Sequence, residues 1–273
     1  MLPYSGHVNP DPYALATEAA EHVRTALGIE SADLALVLGS GWKEATDRLG
    51  DPIGRIDLAE LPGFHAPVVA GHGGELIAFG TAAGKTALVF TGRTHLYEGR
   101  GVDAVVHGVR TAAALGVQTL VLTNGCGGLD PAIAPGTPVI IRDHLNLTGE
   151  TPLRGATFID MSTTWTPRLV EVAQSVDPTL TTGVYVQFRG PQYETPAEVR
   201  MAGVIGGTLV GMSTTLEAIA AREAGLDLLG LSLVTNAAAG VTDAPLDHHE
   251  VIEAGRAAGP RLAGLVADLV AVL

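Results

Sequence analysis

The chain has 273 residues, 47% of them hydrophobic and only 16% charged; this excludes an intrinsically disordered polypeptide and leaves apolar bulk for a sizeable core. Its 29 acidic and 16 basic side chains give a formal charge of −13, a field that opposes nucleic acid and anionic membranes as partners, so any bound anion must be held by local donors. The single cysteine, Cys126, excludes an intrachain disulfide and fits a reducing compartment.

Asp11-Pro12 opens a helix, with Asp as the cap and Pro at the first helical position, and Gly28 ends it after Leu27. Leu34–Leu38 then reads as a buried strand. Short runs rich in Val, Leu and Ile follow at Glu75–Phe79, Thr86–Thr91, Thr119–Thr123, Val139–Arg142, Gly183–Phe188, Thr208–Gly211 and Leu228–Thr235. Several are apolar on both faces, as a sheet covered by helices requires. Helical periodicity occupies Val102–Leu115, Pro167–Val176, Pro196–Ala202, Thr215–Ala224 and Asp247 to the C-terminus. The alternation predicts an α/β fold with a mainly parallel sheet. No linker, charge block or fixed-period repeat divides the sequence, so residues 1–273 are expected to form a single domain. Residues 1–25 carry Asp11, Glu18 and Glu21 and no apolar core of signal-peptide length, and Asp268 breaks the apolar C-terminal run. The expectation is a cytoplasmic protein without membrane contact.

Three familiar motifs are approached and missed. Gly39-Ser40-Gly41 follows a strand, but Glu44 stands where a dinucleotide fingerprint needs its third Gly. The run from Gly80 to Thr86 resembles a phosphate-binding P-loop with one residue too few between its glycines, and flanking β-rich segments make Ala82-Ala83-Gly84-Lys85 a hairpin turn. Neither Ser40 nor Ser213 sits in the G-x-S-x-G elbow of a serine hydrolase. The histidines, including the pair His248-His249, show no metal-ligand spacing, so no metal is expected.

The unusual residues cluster where a predicted strand has just ended: Gly39-Ser40-Gly41, Gly92-Arg93-Thr94-His95, Asn124-Gly125-Cys126-Gly127-Gly128, Met212-Ser213-Thr214 and Thr235-Asn236. In open α/β sheets that edge binds ligands. Ser40 lies between two glycines, where backbone N–H groups and a hydroxyl can hold an oxyanion without a formal charge, although an ordinary Gly-Ser turn has the same sequence. Arg93 and His95, at i and i+2, point donors to one side if the chain stays extended; taken singly, a solvated Arg and a satisfied core His remain open.

With these turns in view, the chain resembles the trimeric purine nucleoside phosphorylases over nearly its whole length. The motifs that carry the resemblance are Leu38-Gly39-Ser40-Gly41, Gly71-His72, the run from Gly92 through Arg93-Thr94-His95-Leu96-Tyr97-Glu98 to Gly99, Thr123-Asn124, Arg142-Asp143-His144-Leu145-Asn146-Leu147, Gly190-Pro191-Gln192-Tyr193-Glu194-Thr195, Val210-Gly211-Met212-Ser213-Thr214 and Thr235-Asn236. The resemblance, not the periodicity, implies a phosphorylase/hydrolase-like three-layer α/β sandwich with a mixed, partly closed β-sheet flanked by helices, assembled as a homotrimer. It implies reversible phosphorolysis of 6-oxopurine ribo- and deoxyribonucleosides, such as inosine and guanosine, to free base and (deoxy)ribose 1-phosphate in purine salvage. Inorganic phosphate would be a co-substrate, with no cofactor.

Carried over to matching positions, the resemblance assigns phosphate to Ser40, Arg93, His95, Ser213 and the backbone at Cys126, with His72 closing over it. Tyr97 would contact the ribose hydroxyls, Met212 the ribose face, and His248 the 5′-hydroxyl. Phe158 would reach from the neighbouring subunit to cover the sugar. Tyr193 would stack on the base, Glu194 would accept from N1–H or the 2-amino group, and Asn236 would bond the N7/O6 edge; Asn236, Glu194 and His95 form the catalytic set. Glu98 reads as the partner that orients His95. The sequence departs from the family pattern at Gly125-Cys126, where Ala-Ala is common, and at Ala237, where a larger residue can stand. Asn236 favours a 6-oxopurine and His248 an unmodified 5′-hydroxyl over the substrate of the related methylthioadenosine phosphorylases, the alternative within the class. A non-catalytic nucleoside-binding protein is the alternative outside it.

Overall fold

The computed structural model describes residues 11–65, 74–242 and 248–273, the last segment with its side chains from residue 252 onward. Asp11 caps the first helix, α1 (Pro12–Leu27), by accepting the Tyr13 N–H at 3.1 Å, and Gly28 closes it in the left-handed conformation at φ 65°. The strands are β1 (Leu34–Val37), β2 (Pro52–Asp57), β3 (Glu75–Gly80), β4 (Thr86–Phe90), β5 (Thr119–Gly128), β6 (Pro138–Asn146), β7 (Thr181–Gln187), β8 (Leu209–Gly211) and β9 (Asp227–Ala237). The remaining helices are α2 (Val102–Ala114), α3 (Pro167–Val176), α4 (Pro196–Val204), α5 (Thr215–Glu223) and α6 (His248–Val272).

The strands form one sheet in the order β2-β3-β4-β1-β5-β8-β7-β6-β9, and β5 also pairs with β9. The ring β5-β8-β7-β6-β9 is therefore closed, while β2, β3, β4 and β1 extend from it as an open wing. The sheet is mixed, which corrects the mainly parallel expectation from periodicity and agrees with the form implied by the resemblance. β1 runs parallel to β4 and β5, and β5 parallel to β9, but β3–β4, β2–β3, β5–β8 and β6–β9 are antiparallel. For β3–β4 the cause is connection length, since a parallel return needs a crossover of about a dozen residues and the turn from Gly80 to Thr86 is too brief to supply one.

Side-chain alternation along the strands makes the layers. Ala35 and Val37 of β1 join Val23, Val106, Val109, Leu216 and Ile219 in one core, under α1, α2 and α5. Leu34 and Leu36 point the other way, into a core with Leu169, Leu262, Leu265 and Leu269 beneath α3 and α6. β2 has no counterpart among the predicted strands. It begins with Pro52, contains Gly54, sits at the sheet's edge and buries only Ile56, so it carries little apolar signal. β5 and β9 outrun their predicted ends at Thr123 and Thr235, which places Asn124 to Gly128 and Asn236 inside strands rather than after them.

Candidate active site

β1, β4, β5 and β9 all run in one direction, so the turns after β1 and β4 and the distal halves of β5 and β9 share one edge of the sheet. β8 crosses the far end of β5 in the opposite sense, pairing Val210 with Gly127, and so delivers Met212 and Ser213 to the same place. The result is a cavity of about 390 Å³, within the range of small-molecule pockets. Ser40, Arg93, His95, Tyr97, Cys126 and Ser213 line it together with Tyr193, Glu194, Met212 and Asn236. Phe158 is not among its walls and stands 92% exposed. His72, the side chain of His248, and the loop stretch 66–73 lie outside the described residues.

Close backbone approach builds the anion end. A Cβ on Gly39 would lie 2.6 Å from the Thr123 carbonyl oxygen and 2.8 Å from Arg93 Nη1, so only glycine lets the end of β1 settle against β5 and the guanidinium. A Cβ on Gly125 would meet Ser40 and Thr235 at 3.1–3.3 Å, so Ser40 and Thr235 both pack closely on the β5 backbone at Gly125. Arg93 donates from Nε to Glu217 Oε1 at 3.1 Å and from Nη1 to the Thr123 carbonyl, with Ser213 Oγ 3.5 Å from Nη1. Its Nη2 meets no acceptor among the described residues. Ser213 is anchored through its N–H on the buried Tyr185 hydroxyl at 3.4 Å.

Glu98 accepts the His95 backbone N–H at 2.7 Å, and its Oε1 lies 3.5 Å from His95 Nδ1. Burial pushes the Glu98 carboxyl up, but hydrogen bonds from the His95 ring and backbone, with Arg100 nearby, hold it below the usual carboxylate range. The His95 ring stacks on Tyr97 with centroids 4.8 Å apart. Burial, with Glu98 and Tyr193 close by, raises the Tyr97 phenol, which stays a neutral hydroxyl able to donate and accept.

At the other end a β-bulge aims the polar group. β9 pairs Val234 with Cys126 and Asn236 with Gly127, leaving Thr235 as the extra residue. The Thr235 hydroxyl lies 2.9 Å from Asn236 Oδ1, and Asn236 Nδ2 donates to the Ala237 carbonyl at 2.8 Å. That network occupies Oδ1 as an acceptor of the Thr235 hydroxyl and leaves Nδ2 a second proton. Glu194 is 8% exposed, and its Oε1 has no donor among the described residues. It does not cap α4. Thr195 does, in a reciprocal box with Glu198. Burial raises the Glu194 carboxyl above its ordinary value of 4.5.

Two side chains at the site, the wall residue Asn124 and Glu217 bonded to Arg93, carry no role in the sequence reading. Asn124 is fully enclosed, donates from Nδ2 to Thr214 Oγ1 at 3.0 Å, and keeps Oδ1 without a donor among the described residues. Glu217 joins Arg93 to Thr214. The pattern Thr214-x-x-Glu217 before an apolar run is a legible helix-start signal, but its partner Arg93 lies too far along the chain to be read from it. Among the described residues no group of three His, Cys, Asp or Glu could hold a metal, and no helix is long and apolar enough to cross a membrane.

The family model described as the phosphorylase superfamily matches residues 33–271. A purine nucleoside phosphorylase from a Cellulomonas species is 59% identical over 263 residues, 95% of this chain and 93% of that protein. The crystal structure of Schistosoma mansoni purine nucleoside phosphorylase with adenosine superposes at a TM-score of 0.86, with 31% identity over 94% of this chain and 96% of the other. A schistosoma purine nucleoside phosphorylase holding hypoxanthine gives 0.85, with 30% identity over the same shares.

Proposed function

The chain belongs to the phosphorylase superfamily, among its purine nucleoside phosphorylases, and from that premise we propose that its cavity carries out reversible phosphorolysis of 6-oxopurine nucleosides with inorganic phosphate as co-substrate and no cofactor. The observation that carries the reading is the convergence of Arg93 and Asn236 on one cavity large enough for a nucleoside beside a phosphate. In a chain of formal charge −13, an anion needs local donors, and Arg93, Ser40 and Ser213 supply them at one end, with His95 beside them.

Breaking the bond between C1′ and N9 builds positive charge on the ribosyl ring and negative charge on the departing purine, as in glycoside cleavage. A phosphate oxygen below the ring offsets the first charge and forms the new bond to C1′, giving ribose 1-phosphate. The electron pair of the broken bond leaves with the base. The remaining Nδ2 proton of Asn236 faces the N7/O6 edge and stabilises the charge arriving there. Glu194 accepts from N1–H through Oε1, Tyr193 stacks on the base, and Tyr97 and Met212 hold the ribose. No protein nucleophile is needed, which fits a Cys126 thiol that burial pushes up to about 12.

His72 closing over phosphate and His248 on the 5′-hydroxyl are parts of this reading supported by the resemblance alone. The exposed ring of Phe158 supports its covering the sugar of a neighbouring copy in a homotrimer. A single domain over the whole chain and a cytoplasmic location complete the reading; the lone cysteine supports the location. One assay tests the whole: inosine, guanosine, adenosine and methylthioadenosine, each with and without phosphate, following free base and ribose 1-phosphate. Phosphate-dependent release with inosine and guanosine preferred is the expected result. Preference for methylthioadenosine would move the protein to the related branch, undiminished release without phosphate would make it a hydrolase, and tight binding without release would make it a binding protein.

A further inference from the structure

We infer that Glu217 is a positioning residue for the anion end of the cavity, holding the Arg93 guanidinium and the Ser213-Thr214 turn in one fixed relation; the inference rests on the phosphorolysis reading above. Its side chain is 2% exposed. One carboxylate oxygen accepts Arg93 Nε at 3.1 Å and the other accepts the Thr214 N–H at 3.0 Å. The two donors come from segments after different strands, so this single group sets their separation.

The turn it holds is not one the chain would keep unaided. Thr214 sits at φ 83° and ψ −47°, and the next N–H returns to the Ser213 carbonyl at 3.0 Å. That is the rare, strained three-residue turn, adopted here by a β-branched residue. Such a geometry persists only where its surroundings over-determine it. Thr214 is gripped at its N–H by Glu217 and at its hydroxyl by Asn124 and Ser213, and this directs Ser213 Oγ toward Arg93 Nη1.

A purely structural role as a helix cap does not account for both contacts. Gln187 already serves the start of α5, its Oε1 accepting the Thr215 N–H at 2.9 Å together with the Thr215 hydroxyl. The Glu217–Thr214 contact is half of the α5 capping box, but the bond across to Arg93 from the other carboxylate oxygen lies outside any cap. Both partners are donors, so glutamine can satisfy only one of them, and aspartate, a methylene shorter, keeps the charge but cannot span the pair.

The test compares Glu217→Gln and Glu217→Asp with Arg93→Ala, measuring KM for phosphate, KM for inosine and kcat. Positioning predicts a phosphate KM raised at least tenfold in both Glu217 variants, with inosine KM within about twofold of the wild type. Should one variant fail to fold, the other decides. A phosphate KM unchanged or lowered in the folded variants, a wild-type value in Glu217→Asp alone, which would mean charge balance, or equal rises for both substrates would overturn the inference. If Arg93→Ala raises the phosphate KM in those cases, the anion-site reading survives without it. If Arg93→Ala leaves the phosphate KM unchanged, that reading falls and the inference with it.

Discussion

At the anion end of the cavity Arg93 donates hydrogen bonds to Glu217 and the Thr123 carbonyl, Gly39 leaves no space for a Cβ, and the Thr214 backbone is held in a strained turn. At the base end Glu194 keeps Oε1 buried without a donor among the described residues, and Tyr193 stands 42% exposed. Both ends leave a buried polar atom for a ligand to satisfy, Arg93 Nη2 at the first and Glu194 Oε1 at the second, but only the first is held in a close-packed, strained frame. Under the phosphorolysis proposed above, phosphate is small, symmetric and present in both directions of the reaction, so a rigid cradle would serve every turnover. The base must enter and leave, and a buried acceptor that only the correct edge can pair makes recognition costly to imitate.

The largest effect is expected where the base end touches the transition state. In the proposed mechanism Asn236→Ala removes the donor at N7, which by comparison with oxyanion-hole deletions costs about 3 kcal/mol, roughly a hundredfold or more in kcat. Phosphate KM should stay near its wild-type value; a joint rise in phosphate KM would show that the two ends are not independent. Glu194→Gln comes next. Losing a charged acceptor costs about 1.5–3 kcal/mol, roughly 10–100-fold in kcat/KM for inosine, with a smaller loss for adenosine, which has no N1–H to donate.

The same carboxylate gives a pH test. Burial raises its pKa in the folded protein above the ordinary 4.5, so the free protein holds the proton more tightly than the unfolded chain. Its contribution to stability is present below the unfolded pKa and is lost as pH rises through the folded value. Thermal midpoints of wild type and Glu194→Gln should therefore diverge as pH climbs above 4.5, the glutamine variant becoming relatively more stable. A bound base that donates to Oε1 should close the gap. Equal midpoints throughout would mean that Glu194 is solvated after all.

Gly39→Ala probes the opposite end. A Cβ there would lie 2.6 Å from a backbone oxygen, an overpacking of about 1–3 kcal/mol. It should raise phosphate KM several-fold and lower the melting temperature, while leaving the affinity for free hypoxanthine unchanged. If base affinity fell equally, the cavity would be one unit and not two.

What could be read from the sequence divides along the same physical line. Gly39-Ser40-Gly41 and Arg93-Thr94-His95 were visible because contiguous residues at a strand end need no knowledge of pairing. The aim of Asn236 was not visible, because it depends on a bulge against β5 that exists only when two strands more than a hundred residues apart come into register. β2 escaped because an edge strand with Pro52, Gly54 and exposed alternate residues lacks the apolar run that marks buried ones. The Glu217–Arg93 pair escaped for the same reason as the bulge: nothing local encodes it, whereas the partial closure of the sheet came with the family resemblance. The family resemblance supplied the mixed sheet, where periodicity alone pointed to a mainly parallel one.

The smallest effect is expected from Tyr193→Ala. An aromatic pair contributes about 0.5–1.5 kcal/mol beyond the area it buries, and a ring already 42% exposed has less area to contribute than an enclosed one. Inosine KM should rise about three- to tenfold with kcat nearly unchanged, since stacking acts alike on bound substrate and transition state. Tyr193→Phe should behave as wild type if stacking is its role. A fall in kcat with KM unchanged would instead place Tyr193 among the groups that act on the leaving base, and the base end would then share the stiffness assigned here to the anion end alone.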